Sequence, residues 1–365
     1  MAGLSLNSAA CVRSVSKFST CHLCEVICPV EAIKVAPESL PAINLFSCVG
    51  CGGCVGVCPS EALSLDNFSA TEFFFEFAAE PESLISCQKN LPCISALNVE
   101  HLIALASLKS GITLDMGHCN SCSIAFTCRA QIEKNAHEAN YILEAMLSSA
   151  NVVMKDVAYE DESMKSDSSR RDFFQTFTLK NVGKARRDFD RDVEIAMDEF
   201  QEHSIHDVNI ANVRQKELTD KRKLLFTALK RAPKPEIYHV VDANALSFTS
   251  QKLLDKSTCT ACEMCYRICP SGALSSDMKN SKIDFDPFLC IRCHLCHDVC
   301  ESDAITLSPS YNMKELFESS VQNLISFDVK PCDECGLPFS SLKGEKICRR
   351  CRLEEDEAKE LWGIT

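Results

Sequence analysis

The 365-residue chain has no run of 18 or more apolar residues, so no segment is expected to cross a membrane. Its opening, MAGLSLNSAA, carries neither a charged n-region nor a long apolar stretch, which argues against a secretory signal and for a reducing, cytoplasmic setting. Basic residues are in deficit: the formal net charge is −13, the wrong sign for a protein that grips nucleic-acid phosphates. A P-loop, a G-x-G-x-x-G fingerprint and a Ser-His-Asp set are also missing, so neither a substrate site nor independent enzyme activity is expected. Aromatic residues make up only 7% of the chain, yet it contains 25 cysteines. In a reducing compartment, cysteines at C-x-x-C spacing read as metal ligands rather than disulfide partners.

Sixteen of the cysteines form an internal repeat, one copy near each end. The cleaner copy is Cys259-x2-Cys262-x2-Cys265-x3-Cys269-Pro270, followed by Cys290-x2-Cys293-x2-Cys296-x3-Cys300. Three thiolates at i, i+3 and i+6 wrap one face of a cubane, while the fourth, set off by three residues, reaches the neighbouring cluster. Cys259, Cys262, Cys265 and Cys300 are therefore expected on one [4Fe–4S] cluster, and Cys269, Cys290, Cys293 and Cys296 on the next. A zinc site would use two C-x-x-C pairs and has no need of a third cysteine or of the proline. Glu301 stands where proline follows the other three runs.

In the other copy, Cys48-x2-Cys51-x2-Cys54-x3-Cys58-Pro59 is complete, and Cys48, Cys51 and Cys54 take Cys28 as fourth ligand. The partner run reads Phe18-x2-Cys21-x2-Cys24-x3-Cys28-Pro29, with phenylalanine in the first ligand position. Cys11 fills the vacancy through the loop VRSVSKFST, whose closure cost grows only slowly with length, giving the set Cys11, Cys21, Cys24 and Cys58. The alternative is a three-thiolate site with a [3Fe–4S] cluster or labile iron. Both segments resemble the bacterial two-cluster ferredoxin family, which implies ferredoxin-like modules that carry single electrons. A module of about 50–60 residues has a marginal apolar core, so ligation is expected to supply much of its folding free energy. Short strands are expected at Ile43–Phe46 and Ile283–Phe285 ahead of the cysteine runs.

Between the copies the pattern is that of a small α/β domain. Phe73–Phe77 and Ser83–Ser86 read as strands, 98–109 as a helix with Val99, Leu102, Ile103 and Ala106 on one face, and Ile112–Met116 as a strand. A second helix carries Ile132, Ala136, Ala139, Leu143 and Met146, and Val152–Val157 closes a β-α-β-α-β unit. Cys87, Cys93, Cys119 and Cys122 sit at strand ends, where open α/β sheets place ligands. They supply four thiolates for a [2Fe–2S] cluster; a zinc ion, or no metal, stays open, with Cys128 and His118 as spare candidates. Cysteine order and element order here resemble the small iron–sulfur electron-input subunit associated with methanogen hydrogenase and heterodisulfide reductase. Residues 184–231 are charged, with Phe189, Val193, Ala196, Phe200, Leu224, Leu225, Ala228 and Leu229 at helical spacing, and read as helices that brace the two modules. Arg170, Arg171, Arg186, Arg187 and Lys221–Lys223 read as a solvated face or, less simply, as a docking patch for an acidic partner.

The tail carries Cys332-x2-Cys335-Gly336 and Cys348-x2-Cys351, the spacing of a zinc-ribbon knuckle pair with four thiolates and no open position; a rubredoxin-like iron would use the same ligands. The expected architecture is α+β: ferredoxin-like modules at 1–68 and 256–310 flanking an α/β domain at 69–158 and a helical segment at 159–255, with a linker and zinc ribbon at 311–365. The expected cofactors are four [4Fe–4S] clusters, a [2Fe–2S] cluster in the middle domain if that set takes one, and one structural zinc. The expected function is relay of single electrons to or from a cytoplasmic oxidoreductase or another carrier. The order of modules resembles the multi-cluster ferredoxin subunits that accompany formate dehydrogenases or hydrogenases. A maturation factor that grips a cofactor-free enzyme is the competing reading.

Overall fold

The computed structural model describes residues 3–157 and 216–363. Phe189, Val193, Ala196 and Phe200, with the arginines at 170, 171, 186 and 187, lie outside the described residues. The chain mixes short helices and strands, and no described helix is long and apolar enough to cross a membrane.

Leu4–Leu6 alternates and pairs antiparallel with Leu63–Leu65, turning Leu4, Leu63 and Leu65 inward against Ile27, Ile33, Cys24 and Cys54. An inner pair, Ile33–Lys34 with Ala42–Ile43, completes this end. The strand expected to reach Phe46 stops at Ile43, because the Asn44 side chain accepts the Phe46 N–H at 3.1 Å and turns the chain, leaving Phe46 89% exposed. The same arrangement recurs towards the other end: Lys252–Leu254 pairs with Ile305–Leu307, and Leu274–Ser275 pairs with Lys282–Phe285. There the inner pair gains a third strand, Gln322–Ser326, with a bulge between Ile283 and Asp284. Lys252–Leu254 lies just ahead of the boundary expected at 256, too short an alternation to stand out in the sequence.

The middle region is a parallel three-stranded sheet in the order Leu84–Ile85, Ile112–Asp115, Val152–Lys155, crossed by helices Val99–Lys109 and Ala125–Ala145. Asn98 caps the first helix by accepting the His101 N–H, and the His101 ring returns the bond to the Asn98 N–H. The strand expected at Phe73–Phe77 is instead the helix Ala70–Ala79. Phe73, Phe74 and Phe77 share one buried helical face, and Ser69 accepts the Glu72 N–H as an N-cap. A run of phenylalanines suggests β-structure, but tertiary burial of that stripe decides the outcome.

Helix Asp220–Arg231 adds Leu224, Leu225, Ala228 and Leu229 to the core formed by Val99–Lys109. Neither an exposed patch nor a solvated face fits Lys221 and Arg222, which are both buried. The Arg222 guanidinium pairs with the buried Glu100 carboxylate and donates to the carbonyls of Phe288 (3.0 Å) and Phe248 (2.6 Å). Lys221 donates to the Cys58 carbonyl, while the Glu61 carboxylate accepts the backbone N–H groups of Asp220 (2.7 Å) and Lys221 (3.0 Å). This one helix therefore touches both cysteine-rich ends and the middle sheet. The tail is a hairpin, Asp328–Pro331 with Pro338–Ser341, followed by helix Arg349–Leu361.

Candidate metal centres

A thiolate cluster needs sulfurs aimed at a common point and backbone donors aimed at the sulfurs. Both features follow from a repeated backbone twist. Three residues after each fourth cysteine the chain enters the left-handed region: Glu31 (φ 51°), Glu61 (52°), Gly272 (76°) and Asp303 (49°). That twist turns the next amides back, so Ala32, Ala62 and Ala304 donate to the sulfurs of Cys28, Cys58 and Cys300 at 3.1, 3.2 and 3.2 Å. Leu274 donates to Cys269 at 3.5 Å. In three of the four runs the residues on either side of the second cysteine are also left-handed: Gly50 and Gly52, Ala261 and Glu263, Arg292 and His294. The run with Phe18 lacks this pair, and His22 has φ −142° rather than a left-handed value.

Burial and the crowding of neighbouring sulfurs show which of these cysteines lie near one another. Burial pushes the Cys24 thiol up to about 12, and the sulfurs of Cys21, Cys58 and Cys11 crowd it further. Cys11 is buried against Cys58 and Ala62. Its loop is clamped by Arg13, which donates to the carbonyls of Ser39 (2.6 Å), Ser19 (2.7 Å), Cys21 (3.0 Å) and Ala36 (2.8 Å). Burial likewise raises Cys54 to about 12, with Cys51, Cys48 and Cys28 around it and Cys24 nearby. At the other end Cys265 is raised by burial beside Cys262 and Cys259, and Cys259 neighbours Cys300. Cys293 is raised by burial beside Cys269, Cys290 and Cys296. Cys259, Cys262, Cys265 and Cys300 line a small cleft walled by Leu254, Ile283 and Ile305. Converging sulfurs, apolar walls and N–H donors fit an iron–sulfur cluster that binds thiolates and displaces their protons.

In the middle region burial raises Cys87 to about 11, with Cys93, Cys119 and Cys122 as neighbours. Ser95 Oγ donates to Cys93 Sγ at 3.3 Å. Buried Cys128 packs in the same core as Cys93 and Cys51, and its thiol lowers the pKa of both. Cys128 thus joins the middle set to the Cys28 set, a contact its sequence position does not announce. His118 lies in the 117–120 turn.

The tail quartet is built on a smaller scale. The sulfurs of Cys332, Cys335, Cys348 and Cys351 all lie within 4.8 Å of one another, and Cys335 and Cys348 are 3.8 Å apart. Ligands at about 2.3 Å on a tetrahedron stand about 3.8 Å apart, so this set can hold a single metal ion. Backbone N–H groups hold the Cys332 thiol at about 6, with the Cys348 amide 3.2 Å from its sulfur. Among the described residues no other group of three or more ligating side chains gathers this closely.

Residues 251–301 match the 4Fe-4S dicluster domain family and residues 41–64 match the 4Fe-4S binding domain family. A 45-residue stretch is 44% identical to a subunit of the ion-translocating oxidoreductase complex of Methanosarcina acetivorans. That stretch is 12% of this chain and spans only 17% of the relative's length. The chain therefore carries iron–sulfur domains of the ferredoxin type, a class whose work is electron transfer.

Proposed function

We propose that the chain is a multi-cluster electron relay, with duplicated ferredoxin-like modules near its two ends holding four [4Fe–4S] clusters. Cys11, Cys21, Cys24 and Cys58 hold the first, Cys28, Cys48, Cys51 and Cys54 the second. Cys259, Cys262, Cys265 and Cys300 hold the third, and Cys269, Cys290, Cys293 and Cys296 the fourth. The observation that carries this reading is the crossed grouping: in three sets, three sulfurs of one run lie near a cysteine from the neighbouring run (Cys28, Cys300 or Cys269), and in the fourth Cys21 and Cys24 lie near Cys58 and the loop residue Cys11. When bound, the clusters supply one-electron chemistry; the chain buries the sulfurs, directs N–H donors at them and so tunes their potential.

The wider spread of Cys87, Cys93, Cys119 and Cys122 supports a [2Fe–2S] cluster there, since a single zinc ion would need the sulfurs as close as they are in the tail. The tail quartet suits one structural zinc in a ribbon-like hairpin. The donor or acceptor is a cytoplasmic redox enzyme or a second carrier, and the relative's name, which places it in an oxidoreductase complex, agrees with work inside such an assembly. Electron paramagnetic resonance of the anaerobically purified, dithionite-reduced protein tests the relay. Interacting cubane signals totalling several spins per chain are expected, and a silent, well-folded protein would sink it.

A further inference from the structure

We infer that the apolar seam between the two cysteine-rich ends is an electron-transfer junction, so that the five cysteine sets run through the molecule in single file. This rests on the relay proposed above and adds its order. The seam is made by Val12 from one end and Ile268, Leu295 and Val299 from the other, with Leu295 fully buried. Cys21 and Cys293 pack against those same side chains. At the edge, the Thr20 N–H and hydroxyl both donate to the Asp298 carboxylate, at 3.0 and 2.9 Å. Cys21 belongs to the Cys11 set and Cys293 to the Cys269 set, so the seam joins those two sets.

Three further contacts fix the remaining order. Cys265 neighbours Cys296, which places the Cys259 set behind the Cys269 set. Cys24 neighbours Cys54, which places the Cys28 set behind the Cys11 set. Beyond it, the helix Gly53–Val57 lies directly on the 94–96 turn: a Cβ on Gly56 would stand 2.4 Å from the Ser95 carbonyl oxygen, and one on Gly52 2.7 Å from the Ala96 Cβ. Only glycine permits that approach, which packs Cys51, Cys93 and Cys128 into one core.

The file runs from the Cys259 set through the Cys269, Cys11 and Cys28 sets to the Cys87 set. Each transfer oxidises one centre by one electron and reduces its neighbour by one, with no bond made or broken. Water is excluded from the seam, where solvent dipoles would otherwise have to reorganise with each transfer.

The test uses the full chain, purified anaerobically and reduced, and reads the electron-spin relaxation of the Cys269-set signal together with iron per chain. Cys21→Ala, which removes a ligand of the Cys11 set, should abolish the relaxation enhancement that the neighbouring spin gives this signal. Cys48→Ala, one centre further along, should leave it in place. Asp298→Lys keeps every ligand while breaking the edge of the seam, and should weaken the enhancement at unchanged iron content. Equal effects of Cys21→Ala and Cys48→Ala, or full iron in Asp298→Lys with unaltered relaxation, would overturn the proposed order. Wild-type protein without iron would instead defeat the relay itself.

Discussion

The two cysteine-rich ends share a strand plan but reach it by different means. Towards the C-terminal side, all eight ligand positions lie at regular spacing, and the left-handed twists fall on Ala261, Glu263, Arg292 and His294. Non-glycine residues there cost about 1–3 kcal/mol each and persist only where the surroundings dictate them. Towards the N-terminal side the corresponding run has glycines at 50 and 52, and the loop carrying Cys11, the proposed substitute ligand, is tied down by Arg13 through four carbonyls. Beside the second cysteine of a run, the C-terminal end accepts left-handed strain where the N-terminal end has glycines, and the N-terminal end adds a clamp on its irregular loop.

The largest contrast should appear on removing iron. Chelation of the reduced protein is expected to unfold both ends while the middle sheet survives, since the ends rely on ligation and the middle buries an apolar core. Hydrogen exchange should show Leu63–Leu65 and Ile305–Leu307 losing protection while Leu102–Ala106 keep theirs. Next comes the helix that ties the ends together. Arg222→Met strands the buried Glu100 carboxylate and should cost about 3–5 kcal/mol in denaturant unfolding, much of it recovered in the double variant with Glu100→Met.

Arg13→Ala should sharpen the comparison of the ends. The Cys11 set is expected to shed iron and convert to a three-iron signal, with the C-terminal sets unchanged in the same sample. Gly52→Ala should be harmful, because φ is 77° and its Cβ would meet Ala96, whereas Ala261→Gly relieves about 1–2 kcal/mol of left-handed strain. Thermal midpoints of the iron-loaded variants should move in opposite directions.

The smallest effect concerns Glu345 in the tail, whose carboxylate accepts from Ser341 Oγ (2.7 Å) and the amides of Lys343 (3.0 Å) and Leu342 (3.1 Å). The Ser341 hydroxyl foremost, with these amides, holds the carboxyl at about 2, so its stabilisation is complete above the ordinary value of 4.5 and is lost as pH falls towards about 2. Exchange protection of the Leu342 and Lys343 amides should follow that window, and in Glu345→Gln it should be low throughout.

The cysteine spacing made the iron–sulfur domains legible, because ligation chemistry imposes it directly on the sequence. The parallel sheet was legible too, through the helical stripe of Leu102, Ile103 and Ala106 and the alternation at Ile112–Asp115. Other features depend on partners distant in sequence. Phe73, Phe74 and Phe77 carry β-propensity that burial overrides, although Ser69 and Glu72 held the capping signal. Lys221 and Arg222 read as surface charge until Glu100 and the Phe248 and Phe288 carbonyls close around the guanidinium. Cys128 reads as spare because Cys51, from the N-terminal end, meets it only once that end docks on the middle region.

The most direct test of the relay is the metal and sulfide content of the anaerobically purified chain. About 16–18 iron atoms with matching acid-labile sulfide and about one zinc are predicted from four cubanes, a two-iron centre and the tail. Four iron atoms or fewer in well-folded protein, with several zinc ions, would contradict it and leave a zinc-bound scaffold.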